Sequence, residues 1–219
     1  MINKAIILAG GTGKRLSPIT KSVNKQLLPL FDKPMIFYPL SILMLAKIRD
    51  ILIITNKKDI NSFSNLFGNG KNLGIKINYL EQKKANGLPE AFIIGEKFIN
   101  NKNVALILGD NFFYGQGFTK KLSVNKKLIN GCKIFLYKVK NPQDYGTVEI
   151  IKNKISTIKE KPKKSKSSLA ITGLYFFDKN VVNLSKKLKP SKRNELEITD
   201  LLKIYKKKNK LSYDFMGRG

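Results

Sequence analysis

The 219-residue chain has no histidine, no tryptophan and one cysteine, Cys132. Without an imidazole, no Ser–His–Asp or Cys–His nucleophile–base pair can be assembled. One cysteine excludes a disulfide framework, and one cysteine without histidine excludes a zinc cluster. Any metal the protein uses is therefore held by carboxylates, which selects a hard cation such as Mg²⁺. Carboxylates are themselves scarce: 15 acidic residues stand against 42 basic ones, for a formal net charge of +27. Long apolar runs are missing as well. The longest, residues 35–46, is interrupted by Ser41 and falls short of the about 20 residues that a membrane span needs. The N-terminal apolar run, residues 5–9, is shorter than a signal-peptide core of roughly 7 residues or more. A soluble, cytoplasmic protein without a membrane partner is expected. At roughly 150 residues per domain, the length predicts a single domain.

The positive charge comes almost entirely from lysine, since only Arg15, Arg49, Arg193 and Arg218 are arginines. Lys, Asn and Ile are abundant together and share AT-rich codons, so coding bias accounts for the composition. Base-reading surfaces favour Arg, and single-strand platforms need interleaved aromatics. The Lys-rich stretches at 161–166 and 206–210 are accordingly read as solvated surface, and no nucleic-acid partner is expected.

Apolar runs at 5–8, 51–55, 75–80, 104–108 and 132–139 have the length and β-branched content of buried strands. Between them, residues 39–46, 59–67 and 88–98 place apolar side chains at helical spacing. Strands alternating with helices predict an α/β layered fold with a mainly parallel sheet. Beyond residue 139 the texture changes. A hairpin about Asn153 (147–151 with 154–159), a strand at 169–177 and a helix at 181–188 are expected.

Three groups of residues have chemical potential. The first strand runs into Leu8-Ala-Gly-Gly-Thr-Gly-Lys-Arg-Leu16. Its glycines allow backbone N–H groups to approach an anion closely, and ligands bind at the carboxyl ends of strands in open α/β sheets. The loop matches neither the dinucleotide nor the Walker fingerprint. A tight turn with ordinary surface lysines would explain it equally well. The fourth strand ends in Leu108-Gly-Asp-Asn-Phe112, which offers Asp110 as a metal ligand or as a turn residue. The third group is Tyr145-Gly146, Glu160-Lys161-Pro162, Thr172-Gly173 and Glu195-Leu-Glu-Ile-Thr-Asp200, polar residues that suit a hydroxylated phosphate ester.

Taken in order, these segments with Val23-Asn-Lys-Gln-Leu-Leu-Pro29 and Asp32-Lys-Pro-Met35 resemble the sugar-phosphate nucleotidyltransferase family, whose signature opens L-A-G-G-x-G-T-R-L. The resemblance covers residues 3–219 and is nearest to members that use dTTP and glucose 1-phosphate. It implies a three-layer, Rossmann-like fold with a mixed, mainly parallel central sheet. One domain, 1–219, would comprise a nucleotide-binding half (about 1–139) and a sugar-phosphate-binding half (about 140–219). The implied reaction is dTTP + glucose 1-phosphate → dTDP-glucose + pyrophosphate, the entry to dTDP-deoxysugar (rhamnose) synthesis. Such chemistry needs charge neutralisation and alignment rather than a base. By resemblance, Arg15, Lys25 and Asp110 are catalytic, and Asp110 ligates Mg²⁺. Leu8, Gly10, Gly11, Thr12, Gly13, Arg15, Lys25 and Gln26 hold the nucleotide, while Gln82 and Gly87 read the thymine. Asn111, Tyr145, Gly146, Glu160, Lys161 and Thr172 face the sugar phosphate. A homo-oligomer, tetrameric in relatives, is implied too.

The chain departs from the family pattern at Lys14, at Lys83-Lys84-Ala85 before the base-reading Asn86-Gly87, and at Asn194, where Gly is usual. The pattern also continues past Met216-Gly-Arg-Gly219 into W-x-D-T-G, whose Asp is a second metal ligand, and then into C-terminal helices. A chain incomplete at its C-terminus is therefore expected. Use of UTP or another sugar phosphate, and nucleotide binding with little turnover, are the alternatives.

Overall fold

The computed structural model describes residues 2–11, 13–115, 117–125 and 130–217. The first apolar run forms β1 (Lys4–Leu8). A short hairpin of β2 (Pro29–Leu30) and β3 (Lys33–Pro34) precedes α1 (Phe37–Leu45). Next come β4 (Asp50–Thr55), α2 (Ile60–Phe67) and β5 (Lys76–Glu81). Two short helices, α3 (Glu90–Ile94) and α4 (Glu96–Ile99), lead into β6 (Val104–Leu108). The chain continues through α5 (Phe118–Asn125), β7 (Cys132–Lys138), β8 (Thr147–Ile151), β9 (Lys154–Lys159) and β10 (Leu169–Phe177). It closes with α6 (Val181–Lys186), α7 (Ile198–Lys207) and β11 (Leu211–Phe215).

The main sheet runs in the order β11-β7-β10-β6-β1-β4-β5, with the β8–β9 hairpin attached to β10. Only β10 opposes its neighbours along that path; the β11–β7, β6–β1, β1–β4 and β4–β5 pairs are parallel. Successive side chains on a strand face opposite ways, so a sheet covered on both sides needs continuous apolar runs. Ile7, Ile53 and Ile107 join one core, beneath Leu40 of α1, Phe63 of α2 and Leu122 of α5. Ile6, Leu52 and Leu106 join the other, beneath Phe92 of α3, Val181 of α6 and Leu201 of α7. Fully burying a side chain such as Phe92 contributes about 1.5–3 kcal/mol. The expected three-layer α/β fold is therefore present. Among the described residues, no helix is long and apolar enough to cross a membrane.

Some expectations need correcting. The helix expected over 88–98 is two helices, broken at Gly95. A Cβ there would lie 2.9 Å from the Ala91 carbonyl and 3.0 Å from Ile6 Cδ1, so close packing on β1 requires the glycine. The β2–β3 hairpin, α5, α7 and β11 were not anticipated. The 206–210 lysines are exposed except Lys206, which is half-buried, its ammonium donating to the Ser156 carbonyl at 2.5 Å. The hairpin about Asn153 is as expected, with Lys152 and Asn153 both left-handed (φ 47° and 59°), as a two-residue type I′ turn requires.

The reversal of β10 matters for function. Leu174 pairs with Ile107, so the early part of β10 lies at the carboxyl end of β6. The β10–β7 register shifts between Ile171 and Tyr175, and this bulge sits beside the Asp110 turn.

Candidate active site

A cleft of about 370 Å³ opens at the carboxyl ends of β1, β5 and β6, between Leu8, Gly10 and Gly11 on one side and Glu160, Lys161 and Arg193 on the other. Its floor is fixed by backbone and amide bonds. The Ala9 N–H donates to the Ile54 carbonyl (2.8 Å), and the Ala9 carbonyl accepts from Thr55 Oγ1 (3.0 Å) and Asn24 Nδ2 (3.1 Å). Asn24 Nδ2 also donates to the buried Asp59 carboxylate at 2.7 Å. The Asn24 Oδ1 atom accepts from the Gln26 N–H at 2.9 Å and so caps the 3₁₀ turn Lys25–Leu27. That turn aims Lys25 Nζ at Asp110 Oδ2, 2.8 Å away. The Gly13 backbone is left-handed (φ 60°), and a Cβ there would lie 2.8 Å from Thr20 Cγ2.

Gln26 lines this cleft with 3% of its surface exposed, and its Oε1 atom meets no donor among the described residues. A buried acceptor left unpaired costs about 1–3 kcal/mol. Such a group beside a cavity is a candidate acceptor for a ligand donor.

At the Gln82 end of the cleft, the Gln82 N–H donates to the Thr55 carbonyl (2.7 Å) and its Nε2 to Glu90 Oε2 (2.7 Å). Asn86 Nδ2 donates to Glu90 Oε1 (2.7 Å). Gly87 forms a bridge with Leu196, whose N–H donates to the Asn86 carbonyl at 2.7 Å. Gly87 is left-handed (φ 106°), and a Cβ there would overlap the Leu196 carbonyl. The segment before α7 is thus tied across the cleft to the loop that holds Asn86 and Gly87.

The opposite wall is charged. Glu160 Oε2 accepts from Thr199 Oγ1 at 3.1 Å, and Arg193 ion-pairs with Glu160 (3.4 Å), Glu195 (3.0 Å) and Glu197 (3.6 Å). Burial, with the Glu197 charge added, pushes the Glu160 carboxyl above its ordinary range. Asn194 is left-handed (φ 56°), a conformation that Asn tolerates better than other side chains.

Of the residues singled out by sequence, Leu8, Gly10, Gly11, Gln26, Gln82, Gly87, Asp110, Tyr145, Gly146, Glu160 and Lys161 line the one cleft. Lys25 reaches it through Asp110. Arg15, in the 3₁₀ turn Lys14–Leu16, is exposed and stands outside it. Thr12 lies outside the described residues. Asn111 and Thr172 line a neighbouring cavity of about 580 Å³, with Phe112, Tyr114 and Met216. The Asn111 amide is engaged by the protein on both sides: Nδ2 donates to Asp110 Oδ1 (3.1 Å), and Oδ1 accepts from the Gly173 N–H (3.1 Å). Lys83 and Lys84 are exposed, while Ala85 lines the cleft. Sequence reasoning assigned no role to Asn24, Asp59, Glu90 or Arg193, and it reached Glu197 and Thr199 only as members of the Glu195–Asp200 segment. Arg193 was the most detectable of these, being one of four arginines and two residues before Glu195.

The donor set bears on a metal. Among the described residues, no three His, Cys, Asp or Glu side chains are grouped to hold an ion. Asp110 offers one half-buried carboxylate at the cleft. That fits Mg²⁺, which commonly takes one or two carboxylates and completes its shell with phosphate oxygens and water. It does not fit an ion held by protein alone.

The nucleotidyl transferase family model matches residues 4–219. This chain belongs to that family. The glucose-1-phosphate thymidylyltransferase of Neisseria meningitidis is 54% identical to this nucleotidyltransferase over 217 residues, covering 99% of the chain and 75% of the relative. That of Mycobacterium tuberculosis is 46% identical with the same coverage. A Bacillus anthracis structure described as a glucose-1-phosphate thymidylyltransferase, in complex with sucrose, superposes with a TM-score of 0.89 at 42% identity, covering 98% of this chain and 87% of that one. A UDP-glucose pyrophosphorylase complexed with UDP-glucose gives 0.85 at 28% identity, covering 100% and 92%.

Proposed function

We propose that this nucleotidyltransferase transfers the thymidylyl group of dTTP to glucose 1-phosphate, giving dTDP-glucose and pyrophosphate. The observation that carries the reading is one cleft with two chemically different walls. A glycine loop, the unpartnered Oε1 of Gln26 and the Gln82 amide face Arg193, Lys161 and Glu160, and the walls meet at Lys25 and Asp110. The first wall (within residues 1–139) takes the nucleotide, and the second (within 140–219) takes the sugar phosphate. The thymidylyltransferases at 46–54% identity support dTTP as donor.

A phosphate oxygen of glucose 1-phosphate attacks the α-phosphorus of dTTP. A new P–O bond forms, the bond to the β-phosphate bridging oxygen breaks, and pyrophosphate leaves with the electron pair. The nucleophile is already anionic, so no base is needed, consistent with a chain that has no histidine. The task is to hold two polyanions in line and stabilise the charge that develops between them. Lys25 supplies a cation at that junction, and the glycine-loop N–H groups cradle phosphate. Arg193 and Lys161 neutralise the sugar phosphate, and Glu160 accepts from sugar hydroxyls. Asp110 would hold Mg²⁺ together with the triphosphate, where the ion supplies charge neutralisation. Arg15 reaches the leaving pyrophosphate only if its turn closes over the cleft. The product would feed dTDP-deoxysugar synthesis in the cytoplasm, and the working form would be a homo-oligomer.

The test is pyrophosphate release with dTTP, UTP, ATP or CTP, each with and without glucose 1-phosphate and Mg²⁺. Fastest release with dTTP, dependent on both additions, is expected. Faster release with ATP or CTP would overturn the assignment. Replacing Lys25 with Ala should lower turnover about 10²-fold or more, the scale of one lost electrostatic stabiliser.

A further inference from the structure

Glu90 stands behind the base-side wall of the cleft and holds two amides with one carboxylate: Gln82 Nε2 on Oε2 and Asn86 Nδ2 on Oε1, both at 2.7 Å. A carboxylate can only accept. It therefore fixes which end of each amide points where: the NH₂ of Gln82 turns to Glu90 and its oxygen turns away. The oxygen lies over the glycine loop, since a Cβ on Gly10 would come within 2.5 Å of Gln82 Oε1. Gln82 has little freedom to change this, being 4% exposed with its N–H bonded to the Thr55 carbonyl.

We infer that Glu90 is a positioning residue that sets base preference, by locking Gln82 with its acceptor oxygen toward the bound base. The inference rests on the proposed use of this cleft for a nucleotide. Thymine and uracil carry a hydrogen on N3 and can donate to that oxygen. Cytosine has a bare N3, so two acceptors would face each other. Sites built around one hydrogen bond discriminate strongly, because the mismatched partner leaves a buried polar group unpaired. Glu90→Gln keeps the size of the side chain but adds a donor. The new amide can donate to Gln82 Oε1, which frees Gln82 to turn over and present its NH₂ to the base.

The test is equilibrium binding of dTTP, UTP and dCTP, by calorimetry, to the wild type, Glu90→Gln, Gln82→Ala and the double variant. The wild type should favour dTTP and UTP over dCTP. In Glu90→Gln that ratio should fall at least tenfold, a change of about 1.4 kcal/mol. In the Gln82→Ala background, Glu90→Gln should change the ratio less than about twofold, because the effect passes through Gln82. A general loosening of the loop would weaken all three nucleotides together and leave the ratio unchanged. That outcome, or a wild type that does not discriminate against dCTP, overturns the inference. Pyrophosphate release measured on the same wild-type sample reports separately on the proposed reaction: binding selectivity without turnover refutes the reaction and leaves the role of Glu90 standing.

Discussion

Replacing Gln26 with Met should move stability and ligand binding in opposite directions. Gln26 is 97% buried with an unpartnered Oε1, and leaving such an acceptor dry costs about 1–3 kcal/mol in the free protein. Met has a similar length and no strong acceptor, and swaps that conserve volume cost less than about 1.5 kcal/mol. The free variant should gain about 1 kcal/mol, which for a domain of this length raises Tm by about 2–4 °C. On the proposed function, binding should lose the hydrogen bond that Oε1 would accept from the nucleotide, about 1.4 kcal/mol or tenfold in Kd. Ligand stabilisation follows the logarithm of saturation, so at high dTTP the same 1.4 kcal/mol disappears from the bound form. The order of the two melting temperatures should therefore reverse when saturating dTTP is added. Thermal unfolding of both proteins, with and without dTTP, measures this directly. A variant that melts lower without ligand and binds dTTP as tightly as the wild type would show that Gln26 is ordinary core packing.

Arg193→Ala should raise the KM for glucose 1-phosphate at least tenfold and that for dTTP less than about threefold, since Arg193 sits on the wall with Glu160 and Glu197; equal effects on both substrates in steady-state kinetics would refute the division of the cleft. Gly87→Ala combines left-handed strain with overlap on Leu196 and should cost about 3 kcal/mol, lowering Tm by about 6–12 °C; a Tm within 2 °C of wild type would mean that the bridge opens freely. Glu160 has its carboxyl raised above the ordinary 4.5 by burial and by Glu197. The folded state thus holds its proton more tightly than the unfolded one. The stability this confers is full below pH 4.5 and lost as pH rises through the folded value. Glu160→Gln should remove that fall, so denaturant unfolding from pH 4.5 to 7 should show a flatter profile; an unchanged profile would refute the cause assigned to the shift.

The strands were legible because both faces of the sheet are covered, which forces runs such as Ala5-Ile-Ile-Leu8 and Val104-Ala-Leu-Ile-Leu108 to be apolar throughout. α7 has a helical signature in Ile198, Leu201, Leu202 and Tyr205, all buried, but the acidic residues at its start, Glu195, Glu197 and Asp200, mask it. β11 has mixed polarity and pairs only with β7, at the sheet edge, so its strand character comes from a distant partner and not from local pattern. The cleft was legible where a residue type is itself the chemistry, as with the glycine loop and Asp110. Glu90 and Asp59 were not, because each acts through an amide: Asp59 through Asn24, Glu90 through Gln82. Nothing in the spacing of a sequence connects Glu90 to the amides it holds.

The reversed strand has a consequence for how the molecule is made. β10 (169–177) lies between β6 (104–108) and β7 (132–138), strands that leave the ribosome well before it. Both sheet neighbours of β7, β10 and β11 (211–215), follow it in the chain, so until residue 177 emerges β6 keeps an open edge of unpaired amides and carbonyls and β7 has no partner strand. Such edges invite pairing with other chains. The two walls of the cleft are therefore joined through one sheet. A fragment cut at residue 139 should aggregate, and the sheet should close late, when β10 docks between β6 and β7 and β11 then pairs with β7.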